Sequence, residues 1–294
     1  MPRTPSAPSS RAGRRRGRGP QAPAPPAAPL EPIRDFYDRR AAEMPGEYET
    51  HYWRLYDAIT WAALEPHLPA APGARILDAG GGYGLWTLRL ARATQAAIDL
   101  VDLSAAMLEV ARREVAAAGL DGRVTATQAD LRHLERFAGG TFDLVVCEGD
   151  PLSICTMLGT GEACLGELAR VLKPGSPICL GLDSRPGLVG HALGASLEAA
   201  ERLLADGFEQ VFHEHGTHGF LLEEIDLLLA AAGLERREAL GKPVLHNHLG
   251  RAEAERRLAD PAYFERALAL ELRYARVPPY RDFGEHLQVI AVKR

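Results

Sequence analysis

The sequence, 294 residues long, predicts an α/β fold with a doubly wound, mostly parallel sheet. Three observations predict it: short apolar runs alternate with longer helical patterns, a glycine-rich turn follows the first such run, and two apolar runs come late in the chain. This alternation is typical of βαβ units whose strands are buried on both faces. Because such crossovers are right-handed, helices are expected on both sides of the sheet.

The individual elements follow from the apolar runs and the breaks between them. Early strands are predicted at 75–79, 97–102, 124–128, 142–147 and 177–182, with helices at 86–93, 105–118 and 164–172. The later elements are amphipathic helices at 188–204 and 220–232, a helical segment at 251–273, and strands at 234–240 and 286–292. The last two strands leave no room for a short crossover, so they fit an antiparallel edge of the sheet.

Composition and charge exclude several classes of protein. With 46% hydrophobic and 25% charged residues the chain has ordinary globular composition, and it lacks the ~18 consecutive apolar residues of a membrane span. The net charge is -5, but residues 1–30 hold six arginines and no acidic residue, which leaves -11 for the remainder. Such an acidic body is a poor binder of nucleic acid. Four cysteines without a CxxC pair predict reduced thiols and a cytoplasmic location.

Residues 1–30 are predicted to be a disordered tail, because they are rich in Pro, Ala, Ser and Arg and show no apolar periodicity. The stretch lacks the apolar region of a secretory signal. An inert tail is the preferred interpretation. An arm that binds nucleic acid or a partner, and an organelle transit peptide, are the alternatives. Residues 31–294 are expected to form one domain.

The most informative motif, Asp-Ala-Gly-Gly-Gly-Tyr-Gly at 78–84, directly follows the first predicted strand. Glycines there permit positive φ and close contact with a ligand, and the next helix presents free N–H groups and the positive end of its dipole. The motif matches neither the G-x-G-x-x-G dinucleotide fingerprint nor a P-loop, which needs a lysine. Asp78 would repel a phosphate and attract an amine or a sulfonium.

Two further acidic residues end the next strands. Asp102 ends the second predicted strand at the distance expected of a carboxylate that accepts two ribose hydroxyls. Asp130 follows the third strand, where capping the next helix is its alternative role. Acids at three successive strand ends suit a ligand with a sugar, an adenine amine and a positive charge.

With these motifs, the chain resembles the class I S-adenosylmethionine (SAM)-dependent methyltransferases from about residue 33 to 294. The glycine-rich motif of that family matches 78–84, its ribose-binding acid Asp102, its adenine-side acid Asp130, its fourth-strand motif 142–152, and its turn before strand five 168–175. The resemblance implies a doubly wound, seven-stranded Rossmann-like methyltransferase sheet with an antiparallel last hairpin, and SAM as the cofactor. The expected cofactor contacts are Asp78, Gly80, Gly81, Gly82, Gly84, Asp102, Leu103, Asp130, Leu131, Cys147 and Tyr52.

The aromatic-rich segment 35–66 is expected to form an N-terminal helical lid over the cofactor, as is common in this architecture. Tyr37, Tyr52 and Trp53 are the candidates for contact, since aromatic faces attract a sulfonium; the alternative is that these rings belong to the core. The segments 186–216 and 251–273 are expected to be insertions on the acceptor side.

The fourth-strand motif continues as Asp150-Pro151-Leu152-Ser153, which departs from the N-P-P-[FY] or D-P-P-[FY] of many methyltransferases of nucleobases and amides. That departure argues against nucleobase and amide acceptors. A place beside the acceptor and a purely turn-forming role are equally favoured interpretations of Asp150-Pro151. A catalytic base is needed only if the acceptor must lose a proton. The candidates for it are Asp150, His215 and His218, in that order.

Histidines at 213, 215 and 218 also raise the question of a metal site, since alternate residues of an extended segment share a face. Methyl transfer from SAM needs no metal, so none is expected. Contact of one of these histidines with the acceptor is a more favoured interpretation than a metal site, and a polar pocket or surface position is the alternative; His246 and His248 are weaker candidates for such contact.

The predicted activity is transfer of a methyl group from SAM to an unidentified acceptor by in-line displacement. A small molecule is the expected acceptor, and a protein or RNA target recruited by the arginine-rich tail is the alternative. A SAM-binding protein without catalysis is a rival interpretation. A nicotinamide-dependent oxidoreductase is disfavoured by the missing third glycine and by Asp78.

Overall fold

The computed structural model describes residues 29–210 and 214–294. Its strands are β1 (Arg75–Ala79), β2 (Ala97–Asp102), β3 (Val124–Gln128), β4 (Leu144–Cys147), β5 (Pro177–Asp183), β6 (Phe208–Glu209), β7 (Thr217–His218), β8 (Leu234–Lys242) and β9 (His286–Lys293). Seven of them form one sheet in the order β3-β2-β1-β4-β5-β9-β8, and β6 pairs with β7. Strands β1 to β5 pair in parallel, and β9 runs antiparallel to both of its neighbours.

Helices cover both faces of this sheet. They are α1 (Glu31–Arg40), α2 (Met44–Tyr48), α3 (His51–Leu64), α4 (Leu85–Ala93), α5 (Ala105–Ala117), α6 (Pro151–Met157), α7 (Gly161–Val171), α8 (Arg185–Ala195), α9 (Leu197–Asp206), α10 (Leu222–Ala231), α11 (Arg251–Leu258) and α12 (Pro261–Tyr274). Short 3-10 helices lie at Glu65–His67, His246–His248 and Arg281–Phe283. None of the helices in the described ranges is long and apolar enough to cross a membrane.

The predicted fold class is confirmed, including the antiparallel last pair of strands. The first three predicted strands match residue for residue. All four residues of β4 are buried, as expected of a strand covered on both faces.

The prediction of one helix over 188–204 is wrong, since two helices, α8 and α9, occupy that region. Ser196 lies between them with an extended backbone (φ -168°), and its side chain accepts a hydrogen bond from the amide of Ala199. A serine that caps the second helix therefore ends the first one, although the apolar pattern continues across it.

The helical pattern over 35–66 is likewise divided into three helices. Thr50 is extended and caps α3 by accepting from the amide of Trp53, while Pro45 lies in the first turn of α2, where a missing N–H costs nothing. The first 28 residues of the predicted tail lie outside the described part of the chain.

Candidate active site

The glycine-rich turn after β1 is shaped by close backbone contacts. Gly80 has φ +73°, and a Cβ added there would lie 2.5 Å from Cγ of Pro151. A Cβ at Gly81 would lie 2.5 Å from the Asp78 carboxylate. Gly82 (φ +54°) faces open space, with no atom within 4 Å of a built Cβ. The turn therefore packs tightly against the fold on one side and leaves bare backbone on the side toward a ligand.

Asp102 at the end of β2 ties this turn to the neighbouring strand. Its carboxylate accepts hydrogen bonds from the amide of Gly82 at 2.9 Å and from the amide of Ser104 at 2.8 Å. Each oxygen keeps a further lone pair, so the group can still accept from a pair of hydroxyls. Burial raises the pKa of Asp102, although the hydrogen bonds from these amides oppose the shift.

Asp78 lies beneath the turn rather than on a cavity surface. It is fully buried, and one oxygen accepts from the Thr87 hydroxyl at 2.6 Å, while the other has no hydrogen-bond partner among the described residues. Burial raises the pKa of Asp78 to about 7. Its position supports the glycine turn from below.

A cavity of about 580 Å³ opens above the turn. Residues of helices α1 to α3 line it, and its walls include the aromatic side chains of Tyr37, Tyr48, Trp53, Tyr56, Tyr83 and Trp86. Gly80, Gly81, Gly82, Asp102, Leu103, Asp130 and Leu131 of the expected cofactor contacts line it. Asp130 is already paired, because the guanidinium of Arg132 donates to its carboxylate at 2.7 and 2.9 Å.

Four expected cofactor contacts are absent from the cavity lining. Gly84 is the residue before α4, and Asp78 lies beneath the turn. Cys147 is buried in β4, where burial raises the pKa of its thiol far above the ordinary value. Tyr52 is 2% exposed; its hydroxyl donates to Glu285, and its ring lies 3.6 Å from the Arg251 guanidinium. Direct contact of these four residues with the cofactor stays a prediction. Their positions behind the lining allow them to support the cavity wall.

Three titratable side chains from distant parts of the chain converge on the cavity lining. His286 begins β9, Asp183 ends β5 as its direct register partner, and Asp150 precedes α6. The imidazole Nε2 lies 3.3 Å from Asp150 and 3.4 Å from Asp183. We refer to Asp150, Asp183 and His286 as the acceptor cluster.

The backbone explains how Asp150 reaches this position. It adopts φ +65°, and no other non-glycine residue in the described ranges has positive φ. Asp tolerates this conformation better than most residues, and Pro151 disfavours the right-handed helical conformation in the residue before it. The strained turn places the start of α6 just beyond the carboxyl end of β4. Backbone strain of this kind is concentrated at functional sites.

A second buried group lies next to the acceptor cluster. Glu148 follows β4 and lines the cavity, and the ammonium of Lys242 lies 2.8 Å from its carboxylate with both side chains fully buried. Lys242 also donates to Thr60 at 2.9 Å and to Gln288 at 2.5 Å. Every hydrogen of the ammonium thus has a partner, so the charge of Glu148 is compensated inside the fold.

The two predicted catalytic histidines lie elsewhere. His215 packs against Phe36 and Tyr37 with ring centroids 5.0 and 5.8 Å apart, in a surface pocket outside α1. His218 is 3.6 Å from Glu224 and packs edge-on against Phe220. Neither lines the cavity, so of the three candidate bases the structure brings only Asp150 to it. His213 lies outside the described residues.

Sequence reasoning missed His286 and Asp183. A signal for them existed: an acid ends the fifth strand, and a histidine begins the last one, which runs antiparallel to it. Residues at those two places must become neighbours once the strands pair.

The residues on the cavity surface fit SAM. Bare backbone at Gly82, a carboxylate with free lone pairs at Asp102 and aromatic walls match a nucleoside that carries a sulfonium. A diphosphate fits badly, because nine carboxylate side chains line the cavity against two guanidinium groups and one imidazole.

Fold and site together define an enzyme class that binds a nucleoside cofactor at the carboxyl end of a mixed, doubly wound sheet. Residues 76–175 match a family described as "Methyltransferase domain". The chain is 27% identical to the tRNA 5-carboxymethoxyuridine methyltransferase of Escherichia coli over 84% of its own length and 91% of that protein. It is 34% identical to the ubiquinone/menaquinone biosynthesis C-methyltransferase UbiE of Vibrio parahaemolyticus, over 40% of this chain and 45% of that one.

A SAM-dependent methyltransferase from Mesorhizobium loti has a similar fold, with a TM-score of 0.56 and 21% identity over 81% of this chain and all of that one. These similarities support the predicted resemblance to the class I SAM-dependent methyltransferases. The chain is an enzyme, and SAM is its cofactor, as the sequence predicted.

Proposed function

We propose that the enzyme methylates a small molecule that enters the covered cavity and lies against the acceptor cluster. The observation that carries this proposal is the continuity of one cavity, which runs from the glycine turn to Asp150, Asp183 and His286 under α1 to α3. A cavity of about 580 Å³ lies within the ~300–1,000 Å³ usual for small-molecule sites.

When bound, SAM supplies an electrophilic methyl group, to which the acceptor adds its lone pair while the sulfur keeps the electrons of the bond that breaks. The protein's own contribution is to align and enclose the reactants. Gly82 and Asp102 hold the nucleoside end, and the covering helices exclude water. A carboxylate of the acceptor cluster is the proposed base for acceptors that must lose a proton.

An RNA acceptor is the second candidate, because the similarity to a tRNA methyltransferase spans most of both chains. The carboxylate-rich cavity argues against it, since phosphates would be repelled there. The arginines of residues 1–30 offer a separate means of recruiting RNA. A cytoplasmic location is part of the same proposal, supported by the four buried, unpaired cysteines.

The test is release of S-adenosylhomocysteine by the full chain, with fractionated small metabolites in one arm and total tRNA in the other. We expect turnover with a metabolite fraction and none with tRNA. The matched control lacks residues 1–30. Turnover confined to tRNA, and lost in the trimmed chain, would overturn the small-molecule proposal in favour of RNA.

A further inference from the structure

Resting on the small-molecule proposal, the structure assigns an acceptor class: we propose that the acceptor is an amine, which binds as its ammonium to Asp150 and Asp183 and gives a proton to Asp183 before methylation. The features that support it are the charge of the acceptor cluster, the state of His286 and the aromatic side chains near them.

Two acidic residues of the lining near the acceptor cluster are compensated by cations. Glu148 is compensated by Lys242, and Glu285 accepts from the Tyr52 hydroxyl and lies 3.2 Å from Arg251. In the acceptor cluster, two carboxylates face one imidazole, so acidic groups outnumber basic ones. A cationic ligand favours the ionised form of both carboxylates, and it is the kind of ligand that this arrangement attracts.

His286 lines the cavity and is almost completely buried, with 7% of its surface exposed. Its Nδ1 is buried without a hydrogen-bond partner among the described residues. Burial lowers the pKa of His286, but the two aspartates outweigh this and raise it to about 9. In the protonated imidazole Nδ1 is a donor, which an ammonium cannot satisfy, so this nitrogen calls for a hydrogen-bond acceptor on another part of the ligand.

Aromatic rings line the cavity beside the acceptor cluster. Tyr56 packs edge-on against His286 with centroids 5.0 Å apart, and Tyr48 lies 4.9 Å from Trp53. Burial, and after it Asp150, raises the pKa of Tyr48 to about 12, so its ring stays neutral beside the cluster. Carboxylates facing aromatic rings are a combination that recognises ammonium groups.

The proton balance follows from these positions. An ammonium cannot attack a methyl group, so one N–H bond must break, with the electron pair left on nitrogen and the proton passed to an Asp183 oxygen. Burial raises the pKa of Asp183 well above its usual range, and Asp150 raises it further, which makes it a suitable acceptor. The nitrogen pair then forms the bond to the methyl carbon as the sulfur–carbon bond breaks with its pair on sulfur. The product leaves as a methylated ammonium, and Asp183 returns its proton to water.

Thr217 fixes the orientation of Asp183, because its hydroxyl donates to the second carboxylate oxygen at 2.5 Å. The first oxygen, which faces His286, remains the one available to a ligand. Two carboxylates and an imidazole within 4.8 Å of one another are also donors that a divalent cation accepts. That rival occupant is an outcome of the test.

The experiment titrates the full chain, saturated with S-adenosylhomocysteine, with phenethylamine, 2-phenylethanol and phenylacetate at pH 7.5 by calorimetry. We expect phenethylamine to bind at least tenfold more tightly than the other two. Equal or weaker binding of the amine, including no binding of any of the three, would overturn the proposal. A fourth titration with Mn²⁺ is expected to show no binding; saturable Mn²⁺ binding that Asp183→Asn abolishes would assign the cluster to a metal instead.

The variant Asp183→Asn should remove the tenfold preference for the amine. Its matched control is Asp121→Asn, an exposed residue before β3 at the opposite edge of the sheet, which should retain it. If Asp183→Asn fails to fold, the binding preference of the unaltered chain for the amine is by itself the test of the proposal. Turnover of a small hydroxyl or carboxylate compound, without amine preference, would remove this inference and leave the proposed function standing.

Discussion

The two ends of the cavity are built in different ways. The cofactor end comes from one stretch of chain, 75–131, and presents backbone and strand-end carboxylates. The acceptor end combines Tyr48, Asp150, Asp183 and His286, which lie far apart in the sequence and meet only through the folded sheet. A ligand shared by a whole family is thus held by local backbone geometry, whereas the acceptor is selected by side chains that the fold gathers from distant positions.

The largest predicted effect is a loss of stability when the buried ion pair at the acceptor end is broken. Lys242→Met leaves the buried Glu148 without its cation, so we expect the free energy of unfolding in urea to fall by about 3–5 kcal/mol. The control Lys173→Met breaks the pair with Asp143, whose lysine is 41% exposed, and should cost at most about 1 kcal/mol. Similar losses in both variants would show that the buried pair does not support this end.

The cofactor end should fail through its backbone. Gly80→Ala places a Cβ against the Pro151 ring, so we expect calorimetric SAM affinity to fall by about 100-fold, or about 2.7 kcal/mol. Gly73→Ala is the control: it has the same φ of +73° but open space around its Cβ. If both variants lose affinity alike, general strain rather than the shape of the turn is responsible.

Asp78 links the cofactor end to pH. Its folded-state pKa of about 7 lies above the unfolded value of about 3.9, so the stability it contributes is present below pH 4 and is lost as the pH rises through 7. Asp78→Asn removes this loss. Between pH 5 and pH 8 the variant should therefore gain about 2–3 kcal/mol relative to the unaltered chain, measured by urea unfolding at both pH values. A constant difference would contradict the assignment.

The smallest of these effects concerns the predicted ribose contact. Asp102→Asn weakens the acceptor for a pair of hydroxyls, and we expect SAM affinity to fall by about tenfold, or about 1.4 kcal/mol. Asp99→Asn, on the same strand but paired with Arg75, should leave the affinity unchanged. Unaltered binding by Asp102→Asn, with its melting temperature preserved, would remove the ribose role.

The same contrast explains what the sequence could reveal. Strand limits, the glycine turn and Asp102 follow from short-range patterns, because each depends on residues within a few positions. The position of Asp150 follows from its motif alone. For His215 and His218 the sequence shows only their residue type in an expected insertion after the fifth strand, and the fold directs them to other surfaces. His286 was overlooked because its role arises from its register with Asp183, a relation across many residues that composition and periodicity do not contain.

Among the described strands, β8 pairs in the sheet only with β9, although it precedes β9 in the chain. While the polypeptide is being organised, β8 therefore has no edge to dock on until the later strand has inserted beside β5. Closing so long a loop is entropically slow, so we expect the nucleoside-binding region to gain protection from hydrogen exchange earlier than the wall that carries His286.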